Sequence, residues 1–130
     1  MARLEFSSQL LEAAQNDLMV WHKLVNDTEV HDSMLGFHAQ QSVEKCLKAV
    51  LAKRRVAFRR THDLAELLDA IADAGLVAPP FADRLDELNP FAVEARYGMG
   101  GEQALNRVLV SSWIEASFEW ASQTLQEGQP

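Results

Sequence analysis

Apolar residues recur at helical spacing along most of the chain. From about residue 5 to 25, Leu10, Leu11, Ala14, Leu18, Trp21 and Val25 fall three and four apart, which places them on one face of a helix. The polar run Asn26-Asp27-Thr28-Glu29 breaks that pattern. Asp32 or Ser33 is placed to cap a second helix reaching about Arg54, with an apolar stripe of Leu35, Ala39, Val43, Cys46, Leu47, Val50 and Leu51. A polar stripe, Gln41, Glu44, Lys45 and Lys48, shares this helix.

The remaining segments follow the same period. Asp63 with Glu66 three residues later has the form of a capping box, and Leu64, Leu67, Leu68 and Ile71 make the apolar face behind it. Gly75 is placed to end this third helix. Pro79-Pro80 can open a short fourth helix carrying Phe81, Leu85 and Leu88, which Asn89-Pro90 kinks or ends. Gly98, Gly100 and Gly101 form a connector to a fifth helix over roughly residues 102–125. There Leu105, Val108, Leu109, Val110, Trp113, Ile114, Phe118, Trp120, Ala121 and Leu125 wrap most of the circumference. A helix apolar nearly all round is expected to be buried on more than one side, at the centre of the domain or in a dimer interface. The pattern contains no strand-like alternation and no repeat. The expected fold is therefore all-α, a single domain over residues 1–130 built as a bundle of about five helices, four long and one short.

Composition fits one globular domain, with 48% apolar and 24% charged residues in 130. The lone cysteine, Cys46, excludes an intramolecular disulfide and suits a reducing compartment, so a cytoplasmic protein is expected. The first residues do not read as a signal peptide, and no apolar run approaches the roughly 18 residues of a membrane span. No membrane partner, metal or cofactor is expected. His31 and His38 can share a helix face, but no third ligand lies at a metal-binding spacing. The glycines at 98, 100 and 101 follow no strand and so form no dinucleotide or phosphate loop.

Charge changes the picture more. The net charge is −7, yet Lys45, Lys48, Lys53, Arg54, Arg55, Arg59 and Arg60 hold seven of the twelve basic residues, with no acid between Glu44 and Asp63. Such a segment is a candidate phosphate-binding patch. The plainer role of Lys53, Arg54 and Arg55 is to offset the dipole at the end of the second helix. Gln41, Glu44, Lys45 and Lys48 either line a cleft or dimer seam, or form a solvated face with glutamate–lysine pairs.

The string Phe37-His38-Ala39-Gln40-Gln41-Ser42-Val43-Glu44-Lys45-Cys46-Leu47-Lys48-Ala49, followed by Thr61-His62-Asp63-Leu64, Arg96-Tyr97 and a terminal apolar helix, resembles the HEPN family. The resemblance runs from the first helix to the last. It implies an antiparallel, up-and-down bundle that dimerises. It also implies a nucleotide- or RNA-binding component of a toxin–antitoxin-like module, with a minimal nucleotidyltransferase as partner. Many members are metal-independent ribonucleases that set an arginine and a histidine, with four to six residues between them, in a cleft between protomers. Others are non-catalytic helical partners, and that adaptor role is a further alternative here.

In this chain no histidine follows His62, so Arg96 lacks a local histidine partner. The matching spacing is Arg55 to His62, six residues between, after the second helix. By resemblance, His62 is the candidate general acid or base of a ribonuclease, with Arg55 and Arg59 holding phosphate. It sits where backbone N–H groups at a helix start can point at an anion. Its plainer role is to help cap the third helix beside Leu64. The phosphate-binding set is Lys48, Lys53, Arg54, Arg55, Arg59, Arg60 and Arg96. Tyr97 joins Gln41, Glu44 and Lys45 at the cleft or seam.

Overall fold

A computed structural model describes residues 5–92 and 104–127. Among these residues the chain is all helical: α1 (Phe6–Leu24), α2 (Asp32–Lys53), α3 (Leu64–Asp73), a 3-10 turn (Leu85–Leu88) and α4 (Arg107–Gln126), with no strand. The first three helices lie where the apolar period placed them.

α1 and α2 pack along their lengths. Ser42 Oγ donates to the Ala14 carbonyl at 3.0 Å and Lys45 and His38 both meet Asp17, while Lys53 at the end of α2 reaches Glu5 just before α1, so the two helices run in opposite senses. Trp21 fills the space between α1 and α4, and its Nε1 donates to Ser111 Oγ at 2.7 Å. Beside α2, α4 runs in the same sense, with Asp32 near Arg107 at one end and Arg54 near Glu127 at the other.

The centre of the domain is α2, not the last helix. It packs against α1, α3, α4 and the 3-10 turn. Small residues make this possible: Gly36, Ala39, Ser42, Cys46 and Ala49 are all buried along it. The ring of Phe91 lies so close to Gly36 that a Cβ there would come within 2.2 Å of its Cδ1. By contrast α4 buries one face, Val110, Trp113, Ile114, Ser117, Trp120 and Ala121. Val108 stays 83% exposed and Leu109 37%. The all-round apolar character of the last helix therefore does not become all-round burial within the chain.

Two further differences concern element ends. The expected short helix from Pro79 is a series of turns leading into the 3-10 turn. Phe81 adopts φ 62°, a left-handed conformation that interrupts helical geometry. The last helix starts at Arg107 rather than near residue 102, because Asn106 caps it by accepting from Leu109 N at 3.0 Å.

α2 and α3 end in the same way. In α3, Leu76 N donates back to Ile71 O and Gly75 N to Ala72 O, with Gly75 at φ 73°. In α2, Val56 N donates to Leu51 O and Arg55 N to Ala52 O, with Arg55 at φ 59°. This is the left-handed helix stop that normally takes glycine. At the second site an arginine occupies it.

Cys46 is fully buried in the core, and burial pushes its thiol well above the ordinary range. It is an inert core residue, as its place on the apolar stripe implied.

Candidate functional site

The chemistry of α2 lies on its polar side, which faces α1 at one edge and the connection to α3 at the other. The hub is Glu44, whose carboxylate is 5% exposed and takes donors from three directions. Lys48 Nζ donates to Oε2 at 2.9 Å, one turn along the helix. Gln40 Nε2 donates to Oε1 at 3.0 Å. His62 Nδ1 lies 3.0 Å from Oε1 and 3.2 Å from Oε2. A carboxylate ligated this way is an acceptor only, so the proton of the imidazole sits on Nδ1. Nε2 then faces away, on a side chain that is 58% exposed.

Gln40 is wholly buried and holds the network together. Its amide also donates to the His62 carbonyl at 3.0 Å, and its Oε1 accepts from Gln41 Nε2 at 2.7 Å. The backbone and ring of His62 are thus both tied to one turn of α2. Such a buried polar network is stable because its members satisfy one another.

Beside His62, the start of α3 is closed by its own side chains. Asp63 Oδ1 accepts from Ala65 N, Asn89 Oδ1 accepts from Leu64 N, and Thr61 Oγ1 accepts from Asp63 N. Asn89 Nδ2 in turn donates to Asp63. These N–H groups are already used, so the expected anion site at the helix start is filled from within. Glu66 does not complete a capping box either; it takes two hydrogen bonds from Arg59, at 2.7 and 3.0 Å. Each member shifts the other: Glu66 raises the Arg59 guanidinium above its usual range, and Arg59 holds the Glu66 carboxyl below its own.

The basic segment is far less free than its sequence suggests. Lys45 pairs with Asp17 at 2.7 Å, Lys48 with Glu44, and Arg59 with Glu66. Lys53 reaches Glu5 at 3.7 Å and Arg54 reaches Glu127 at 3.5 Å, both loose contacts to acids that are more than 60% exposed. Loose surface pairs of this kind are weak and exchange readily with another anion. Arg55 and Arg60 are exposed and have no ion pair among the described residues. Acids from α1, α3 and the C-terminal end of the chain neutralise a stretch that contains none of its own.

The polar side of α2 also holds residues that were not picked out as a site. Asp17, 12% exposed at its side chain, accepts from Lys45 Nζ and lies 2.9 Å from His38 Nδ1. An acid on the apolar face of α1, between Ala14 and Trp21, was the available signal. Among the expected members, Gln41, Glu44, Lys48 and His62 are brought together, and Lys45 stands at the α1 edge. Arg96 and Tyr97 lie outside the described residues. Among the described residues no three His, Cys, Asp or Glu side chains gather as metal ligands would. No described helix is long and apolar enough to cross a membrane.

No curated protein and no solved structure matches the chain. The family comparison does: the HEPN domain model matches residues 7–122, spanning α1 to α4 and taking in both the α2 polar network and His62, and the chain belongs to the HEPN family.

Proposed function

We propose that this HEPN protein binds the phosphate groups of a nucleotide or RNA, with His62 at the centre of the contact surface. The observation that carries this is the Glu44–His62 pair, a buried carboxylate that turns the imidazole so that Nε2 faces solvent. A solvent-facing histidine with no task needs no such support. Arg55 and Arg60, with no ion pair among the described residues, supply guanidinium groups in the same stretch of chain, and Lys53 and Arg54 can leave their loose partners for a phosphate. Lys48 and Arg59 are tied to Glu44 and Glu66 and serve chiefly to hold the surface in shape.

A fluorescence titration with labelled RNA and with nucleotides tests this. His62→Asn keeps an N–H donor toward Glu44 and removes Nε2, so it should weaken binding while the fold persists. Arg60→Ala should weaken binding with little effect on stability, within about 0.5 kcal/mol. Affinity unchanged in both variants would overturn the proposal.

The same geometry favours a second reading, metal-independent RNA cleavage. There the 2′-oxygen attacks phosphorus as the bond to the 5′-oxygen breaks; one group takes the 2′ proton and another protonates the leaving 5′-oxygen. His62, oriented by Glu44, has the form of such a group. Cleavage in EDTA that His62→Asn abolishes would support it, and equal cleavage by both proteins would remove His62 from the chemistry. The dimer and the nucleotidyltransferase partner belong to this proposal too. Exposed Phe6 and Met19 on α1 and Val108 and Leu109 on α4 are apolar surface for such contacts. Light scattering that finds a monomer at micromolar concentration would count against the dimer.

A further inference from the structure

The α2 polar side carries two clusters of the same construction. In the first, Glu44 bridges His62 Nδ1 and Lys48 Nζ. In the second, Asp17 bridges His38 Nδ1 and Lys45 Nζ, at 2.9 and 2.7 Å. Asp17 gives one carboxylate oxygen to the imidazole and the other to the ammonium; on Glu44 the imidazole reaches both oxygens and the ammonium shares Oε2. Each largely buried acid therefore places the proton of its imidazole on Nδ1 and turns Nε2 away from itself. The His38 side chain is 26% exposed and that of Lys45 28%, so the second cluster reaches the surface.

The two clusters belong to one surface. At 3.6 residues per turn, Gln40, Glu44, Lys48, Gln41, Lys45 and His38 occupy a continuous arc of about 160° on α2. Phe37 falls within that arc, half-buried, with its ring edge-on to His38 at 5.5 Å. His38 and Glu44 stand six residues apart, so the clusters are offset by about 9 Å along the helix. A single phosphoryl group cannot touch both. A strand that presents successive phosphates can, with a base lying against Phe37 between them.

We propose that His38, held by Asp17 beside Lys45, is a second phosphate-contact point of the His62 surface, and that the ligand is single-stranded RNA rather than a mononucleotide. This rests on the phosphate-binding role of His62 and names the ligand class for it. A structural role alone accounts for the Asp17–Lys45 pair, but not for two clusters along the polar side of α2 that each use a largely buried carboxylate to orient an imidazole.

Fluorescence anisotropy with a labelled oligouridylate, and competition by uridine monophosphate, tests it. His38→Asn preserves an N–H donor toward Asp17 and deletes Nε2. It should lower oligonucleotide affinity by about tenfold. It should reduce the log–log salt slope by up to about 0.7, the contribution of one single-strand phosphate contact. Mononucleotide affinity should not change. Lys45→Gln removes the ammonium beside His38 and should lower oligonucleotide affinity in the same direction without changing mononucleotide affinity. Melting curves identify any variant that fails to fold, and the other variant then decides the matter. Unchanged oligonucleotide affinity and salt slope in His38→Asn, with both lost in His62→Asn, would overturn the second contact and leave the His62 proposal standing. No binding of either ligand by the parent protein would remove the foundation of both.

Discussion

Arg107 and Arg55 carry the same guanidinium at two helix ends, and their surroundings are opposite. Arg107, in the first turn of α4, has every face occupied. Its Nε donates to Asp32 Oδ1 at 3.0 Å, Nη1 to the carbonyls of Val25 and Asp27, and Nη2 to that of Val30. It gathers the whole connection between α1 and α2 and fixes it to α4. Arg55, in the turn after α2, is exposed and pairs with no acid among the described residues. It also sits in the left-handed conformation that glycine takes at the end of α3. One arginine is part of the fold; the other is carried at a conformational cost that a glycine would not incur.

The comparison is sharpened most by removing Arg107. Arg107→Ala should lower stability by about 2–3 kcal/mol in chemical denaturation, because three loop carbonyls and Asp32 lose a charged donor together. A loss under about 0.5 kcal/mol would mean that water replaces the clamp without penalty. Arg55→Gly should act in the opposite sense. Relief of the left-handed backbone is worth about 1–2 kcal/mol, partly offset by the greater freedom of glycine in the unfolded chain. A small net gain in stability with weaker RNA binding would separate what the residue does from how the chain folds. Unchanged binding would break the comparison.

Arg59 stands between the two cases, exposed yet paired, and predicts the smallest effect. Arg59 holds the Glu66 carboxyl below the usual glutamate range. The pair therefore supports the folded state above that range, and its contribution is lost as pH falls through the lowered value. An NMR titration should find Glu66 titrating lower than an ordinary glutamate, and returning to the ordinary range in Arg59→Ala. Because the pair is exposed, global stability should hardly move.

These three arginines also show what could be read from the chain. The apolar period places α1, α2 and α3 closely, since each has a single wet face. It says less about α4, where Val108 and Leu109 are as apolar as Val110 yet remain outside. Periodicity records which residues can be buried, not how much partner surface exists to bury them. The turn region from Pro79 eluded it as well, because the left-handed backbone of Phe81 has no signature in residue type.

For the site, His62 and Glu44 were legible as neighbours of a family string, but their bond was not. A contact across eighteen residues depends on how the connection after α2 folds back. Charge was the least legible property. Five of the seven basic side chains between Lys45 and Arg60 meet acids, one on α2 itself and four from elsewhere in the chain. His38 was legible only as a weak metal-ligand candidate and Asp17 not at all, for the related reason that their partnership joins two helices.

The fully buried Cys46 gives the protein an internal clock. Its thiol is fully buried and held protonated, so an alkylating reagent can reach it only when the packing around α2 opens. As the chain's one cysteine, it would report each such opening as a single mass increment, with no engineered label. The rate of that increment, with and without RNA, would show whether a strand lying across the α2 polar side locks the helix pair beneath it.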